Sequence, residues 1–176
     1  MAATDDQSRR IIDSQNGDHD AFESLIREHQ HMIHSVCYRM TGSLTDAEDL
    51  AQETFILGYR HLGNFRQEAS FSSWLYRIAI NQCLNWNKSK VRRERFLRDW
   101  SERNEGTPNP ESARSEAIQQ ALLKLNPNQR AAVVLTTFDG LTHAEAAHAL
   151  GCSETTVSWR LFMARAKLRR LLKGLK

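Results

Sequence analysis

The sequence predicts an all-α protein, two small helical domains joined by a flexible linker, and three observations predict it. Apolar residues recur at three- and four-residue spacing in successive segments that open on capping residues and close on glycine. Residues 101 to 115, SERNEGTPNPESARS, hold Gly106, Pro108 and Pro110 and no large apolar side chain, the composition of a linker. Residues 142 to 172 read as a short helix, a tight glycine turn and a longer helix. A chain of 176 residues can form one domain or two, and the linker decides for two: 18 to 98 and 116 to 176, with 99 to 115 between them.

Net charge is only +3, yet acids crowd residues 45 to 54 and bases crowd 88 to 98 and 160 to 173. Partners are therefore read by patches, and both a basic and an acidic partner surface are implied. Cys37, Cys83 and Cys152 are odd in number, far apart and set within helical apolar patterns, which fits buried thiols in a reduced compartment rather than disulfides. The N-terminus has no apolar core of signal-peptide length, and no run approaches the roughly 20 apolar residues of a membrane helix, so the expectation is a cytoplasmic protein without membrane insertion.

Residues 1 to 17 are polar and end in the turn signal Asn16-Gly17, so a flexible N-terminus is expected. From Asp18, Phe22, Leu25, Ile26, Ile33, Val36 and Met40 fall on one helical side until Gly42. His29, His31, His34 and Cys37 on that helix invite a metal reading. Winding at 100° per residue puts Cys37 beside the apolar stripe and His31 nearly opposite it, so the ligands do not converge and no metal or other cofactor is expected.

Thr45 and Glu48 form a capping box opening TDAEDLAQETFILGYRHL, with Leu50, Ala51, Thr54, Gly58 and Leu62 toward the core. Asp46, Asp49 and Glu53 share another face. Helix-dipole stabilisation explains the acids of the first turn only. A divalent-ion site needs further ligands that the chain does not offer, and a docking surface for a basic partner is the third reading.

Residues 64 to 100 place Phe65, Phe71, Trp74 and Tyr76 in the loop and first turn of a helix striped by Leu75, Ile78, Ala79, Gln82 and Trp86. Asn81, Gln82, Asn85 and Asn87 alternate there with Arg77, Lys88, Lys90, Arg92 and Arg93. Aromatics among amides and bases suit single-stranded nucleic acid, where rings stack on bases and cations track the backbone. Taken singly, Phe71, Trp74 and Trp86 read better as ordinary core aromatics, and it is the density of the combination that argues for nucleic acid.

Beyond the linker, Ile118, Leu122 and Leu125 begin a helix that Asn126-Pro127 interrupts and recaps. Another runs through Val133, Val134, Leu135 and Phe138 to Asp139-Gly140. Thr142 and Glu145 then cap a short helix that Gly151 stops. Ser153 caps a longer one whose Val157, Leu161, Ala164, Leu168 and Leu171 face inward. Arg160, Arg165, Lys167, Arg169, Arg170 and Lys173 follow Glu154 with no further acid, as suits a helix-turn-helix laid on DNA phosphates.

With AEDLAQETF, GNFR, FSSWLYRIAIN and LTHAEAAHALGCSETTVSWRLFMARAKLR in one order across a linker, the chain resembles bacterial sigma factors of the extracytoplasmic-function group. The resemblance covers about residues 18 to 173. It implies that the first domain, sigma region 2, binds the beta-prime clamp helices of core RNA polymerase through Asp46, Asp49, Gln52, Glu53 and Phe55. It implies that the same domain melts and reads the minus-ten element with Phe65, Arg66, Phe71, Trp74, Arg77, Asn81, Asn85 and Lys88. It implies that the second domain, sigma region 4, reads the minus-thirty-five duplex through Thr155, Thr156, Ser158, Trp159, Arg160, Phe162, Met163, Arg165 and Lys167. An anti-sigma factor is a further implied partner. Capture of an unstacked base would offset the cost of unpairing it. No catalytic constellation is visible, and none is required.

The chain departs from the family at Ser158 and Met163, where arginines are usual. Trp159 and Met163 fall opposite the inward stripe with Phe162 beside them, and large apolar groups on an outward face need a partner. A site read by Arg160 and phosphate contacts and depending little on guanines is the expectation, with Trp159 touching thymine or serving an anti-sigma partner. Two other readings are a stand-alone helix-turn-helix regulator without polymerase docking, and a metal-dependent hydrolase using Asp46, Asp49 and Glu53.

Overall fold

The computed structural model describes residues 2–96 and 110–173, and among these its regular structure is entirely helical. The first domain holds α1 (Ala2–Gln15), α2 (His19–Thr41), α3 (Leu44–His61), a 3₁₀ turn (Leu62–Asn64) and α4 (Phe71–Phe96). The second holds α5 (Pro110–Leu123), α6 (Pro127–Val133) with a π-helical turn (Val134–Phe138), α7 (His143–Leu150) and α8 (Glu154–Leu171).

Most helix ends follow from the capping residues. Asp18 accepts the amides of Asp20 and Ala21 to start α2, and Gly42, at φ 73°, ends it with its amide on Tyr38 O. Asn126 caps α6 with Gln129 completing the box and Pro127 at the first helical position. Thr142 and Glu145 make the second box, at α7. The start of α3 differs from the sequence expectation: Ser43 is the cap, accepting the amide of Asp46, so Thr45 lies inside the first turn.

Two further expectations need correction. The N-terminus is a helix, not a frayed tail, from Ala2 to Gln15. Ile11 buries its side chain in the core, and Arg10 pairs with Glu28 (2.9 Å) and donates to Ser24 (2.8 Å), so polar contacts to α2 do what apolar residues usually do. The linker expected at 99–115 is shorter at its far end, because α5 begins at Pro110, a position where a missing N–H leaves no helical bond unmade. Its residues 99–109 lie outside the described ones.

The core of the first domain is Leu25, Ile33, Val36 and Met40 of α2 against Ala47 and Ala51 of α3 and Leu75, Ala79 and Ile80 of α4. Leu122, Leu135, Val157, Leu161 and Ala164 fill the second. Cys37 and Cys83 are free, buried thiols facing one another, and their mutual hydrogen bond together with burial pushes the Cys83 thiol well above its usual range.

The two domains do not sit apart as loosely joined units; one apolar cluster runs through both. Gln119 of α5 donates to Tyr38 O of α2 (3.1 Å), and Arg130 of α6 reaches Met40 O. A Cβ at Gly42 would meet the Leu123 side chain, so the seam needs glycine there for closeness as well as for its backbone angle. Arg39 lies 4.6 Å from the Phe138 ring centre. Beside that pair, Asp139 faces Tyr76 of α4 and Arg39 of α2.

Burial pushes the Asp139 carboxyl up to about 6 despite Arg39 and the Tyr76 hydroxyl, and the same burial with the facing carboxylate raises Tyr76. A carboxyl raised on folding stabilises while protonated, fully below the ordinary carboxylate range, and that contribution is lost as pH rises through about 6. Asp139→Asn is therefore expected to remove this loss. By pH 8 the variant should exceed wild type by about 1 to 2 kcal/mol after allowance for screening of a part-exposed group, and match it near pH 4. Thermal unfolding of both proteins from pH 4 to 8 checks this, and parallel curves would contradict it.

Candidate functional site

α4 carries the first surface. Arg77, Asn81, Asn85 and Lys88 are all exposed and, at spacings of four, four and three, form one stripe along the helix. At its head Phe65, Phe71 and Trp74 form a ring cluster with centroids 4.9 to 5.7 Å apart, and His29 meets Phe71 edge-on at 5.3 Å. Phe71 is 2 % exposed and Phe65 8 %, so neither offers a ring face to a base. The expectation that they stack directly is corrected: they are apolar residues next to a helix start, drawn into the core, and they back the half-buried Trp74. Exposed Arg66 and Gln67 follow, with Gln67 at φ 56°, a left-handed conformation that costs a side-chain-bearing residue energy. Ser70 closes the loop by accepting the Ser73 amide at 3.1 Å.

α3 divides the residues that sequence reasoning grouped. Gln52 and Phe55, with Glu48, line an open groove of about 790 Å³ between α2 and α3. Phe22, Ile26, Ala51, Ile56 and Tyr59 supply its apolar surface, and His31, His34 and Arg60 its polar edge. Asp46, Asp49 and Glu53 fall on the neighbouring face, with Asp46 accepting the Trp86 Nε1 proton of α4 at 3.2 Å. The groove was missed in the sequence, although Phe55, Ile56 and Tyr59 outside the Ala51–Thr54 stripe signalled it. No three His, Cys, Asp or Glu residues converge as a metal site among the described residues. His29 bonds Leu25 O through Nδ1 (2.8 Å) inside the core, while His31 and His34 face the groove.

α7 and α8 form the third surface. Gly151, at φ 59°, makes the turn, and Ser153 caps α8 by accepting the Thr156 amide. Ser153 and Thr156 hydroxyls also bond each other (2.9 Å), and Ser158 Oγ lies 3.1 Å from His143 Nδ1, so Thr156 and Ser158 brace the turn. Trp159, Phe162 and Met163 are 60, 70 and 40 % exposed, with Thr155 and Arg165 exposed beside them. Trp159 does not fold back on α7. Arg160 turns toward Cys152 Sγ (3.5 Å) and Lys167 donates to Lys124 O, so neither is aimed outward here.

Two family models match the chain: Sigma-70 region 2 over residues 25–93, and Sigma-70, region 4 over residues 115–168. The chain is 38 % identical over 157 residues to the ECF RNA polymerase sigma factor SigM of Mycobacterium tuberculosis, covering 89 % of this chain and 79 % of that one. It is 33 % identical to the RNA polymerase sigma-H factor of Pseudomonas aeruginosa, covering 98 and 97 %. Against the ECF sigma factor SigW of Bacillus subtilis the identity is 34 %, covering 95 and 97 %. Among solved structures, CnrH, determined in complex with the cytosolic domain of CnrY, superposes with TM-score 0.75 at 25 % identity, covering 96 % of this chain and 98 % of that one. RpoE of Bartonella quintana shares the fold at TM-score 0.68 and 21 % identity, covering 88 and 98 %. With both domains matched in order and full-length relatives above 30 % identity, the chain belongs to the sigma-70 family, in its extracytoplasmic-function group of RNA polymerase sigma factors.

Proposed function

We propose that the three surfaces divide the work of a promoter-specific transcription initiation factor acting in the cytoplasm, where RNA polymerase works. The apolar groove of α2 and α3 seats a helical element of core polymerase, with Asp49 and Glu53 on the flanking face steering a basic approach. The α4 stripe follows the separated minus-ten strand: Arg77 and Lys88 lie along phosphates, Asn81 and Asn85 reach base edges, and Trp74 offers a ring. The outward face of α8 enters the minus-thirty-five major groove. One observation supports this reading most: the seam between the domains leaves the groove, the α4 stripe and the α8 face open together.

The protein binds and positions and does no covalent chemistry, as befits the initiation factors of its family. The hydrolase alternative is weakened because the Asp46 carboxylate already accepts the Trp86 indole proton, and no three His, Cys, Asp or Glu residues converge with metal-site geometry among the described residues. The groove favours polymerase docking over a stand-alone regulator. The exposed Trp159, Phe162 and Met163 also favour an anti-sigma protein that covers them when the chain is off DNA.

Transcription by core polymerase plus this protein from a randomised promoter library tests the function, and failure to enrich any promoter would refute it. On the enriched minus-thirty-five site, Trp159→Ala is expected to lose about tenfold affinity where a thymine methyl meets the ring, and little where guanines stand. An unchanged base profile with the variant would show that this face reads nothing.

A further inference from the structure

α1 lies upstream of the segment matched by the region 2 family model, yet it reaches into the loop before α4. Its last residue, Gln15, donates from Nε2 to two carbonyls of one turn, Leu62 O at 2.9 Å and Phe65 O at 3.0 Å. A side-chain amide has two N–H donors, and this geometry spends both on the turn. Leu62 O also accepts the Phe65 amide (2.9 Å), so the 3₁₀ turn is closed from inside by the backbone and from outside by Gln15. Arg66 and the left-handed Gln67 follow at once, and Ser70 fixes the far end of the loop. Gln15 is itself held, because Ile11 is buried and Arg10 ties α1 to Glu28 and Ser24 of α2.

We propose that Gln15 is a positioning residue for single-strand capture: its amide clamps the Leu62–Phe65 turn so that Arg66 to Ser70 is presented to the unpaired minus-ten strand beside Trp74. The proposal rests on the minus-ten reading of α4 above. Without the clamp, the loop is free to leave a conformation that Gln67 adopts only at a cost. The loop would then have to be reordered at the moment of binding, which lowers affinity without removing a contact.

Gln15 is exposed, so its replacement opens no cavity. Gln15→Met keeps the length of the side chain and removes both donors, and Gln15→Lys restores a single donating group. Holoenzymes assembled from core polymerase and each protein are titrated with two probes built on a promoter enriched by the wild-type holoenzyme. One probe is a fork with the minus-ten segment as a single-stranded overhang, the other the minus-thirty-five duplex alone. Gln15→Met is expected to lose about tenfold on the fork and less than about twofold on the duplex, from the loss of two neutral hydrogen bonds. Gln15→Lys is expected to recover part of the fork affinity.

Equal fork affinities for wild type and Gln15→Met would overturn the proposal, as would equal losses on both probes, which mark a general loss of folding rather than of positioning. A wild-type holoenzyme that binds the fork no more tightly than the duplex alone would instead refute the minus-ten reading itself.

Discussion

Arg130→Met should cost about 3 to 5 kcal/mol of stability, the range for stranding the partners of a buried charged group. Arg130 is 4 % exposed. Its Nε donates to Leu122 O (2.9 Å) and Nη2 to Leu123 O (2.7 Å) and Leu125 O (3.4 Å), while Nη1 reaches Met40 O across the seam. The last carbonyls of a helix have no partner within it and carry the negative end of its dipole. One guanidinium thus satisfies the end of α5 and the end of α2 together. Burial lowers its pKa, because the cation gives up water that the carbonyl dipoles replace only in part. Methionine matches the volume and takes the guanidinium donors from the Leu123, Leu125 and Met40 carbonyls, while Leu122 O keeps only the Leu125 amide (3.0 Å). Arg130→Lys, a point charge without the planar fork, should recover only part of the loss. Urea unfolding measures both, and small-angle scattering should show the seam opening in Arg130→Met before either domain unfolds. A Met variant as stable and as compact as wild type would show that these bonds are dispensable.

Much of this fold is legible in local chemistry because caps and periodicity are local. Asp18, Asn126, Thr142 and Gly151 each act through neighbours within a few residues, and the inward stripe Val157, Leu161, Ala164 is buried as its spacing requires. The α4 stripe and the outward Trp159 were legible for the same reason. What local pattern does not carry is which exposed-looking polar residue the other domain will cover. Arg130 and Gln119 carry no apolar signal, and it is α2 packed against them that buries both. α1 escaped notice because Arg10 and Gln15, rather than an apolar stripe, do most of its anchoring. Phe71 shows the reverse case: taken singly its residue type favours the core, where it lies, and only the resemblance assigns it a contact with DNA.

The groove and the acidic face of α3 should make separable contributions to the proposed polymerase docking, with the groove dominant. Phe55 packs partly on the core and otherwise lines the groove, where Ile56 and Tyr59 stand exposed at its rim. Apolar anchors entering a desolvated pocket carry about 2 kcal/mol or more each, whereas rim charges are screened by water and salt. Ile56→Ser together with Phe55→Ala is therefore expected to weaken core-polymerase binding about 100-fold, largely independent of salt. Asp49→Lys with Glu53→Lys should cost only about three- to tenfold at low salt, through a slower association rate, and almost nothing at high salt. Ile56 is exposed, so Ile56→Ser alone keeps the core intact and should still cost about tenfold if the groove is the seat. Surface-bound core polymerase titrated at two ionic strengths gives both rates, and thermal unfolding of each variant separates lost docking from lost fold. A large, salt-sensitive loss in the acidic pair with wild-type binding by Ile56→Ser would move the docking surface from the groove to the acidic face.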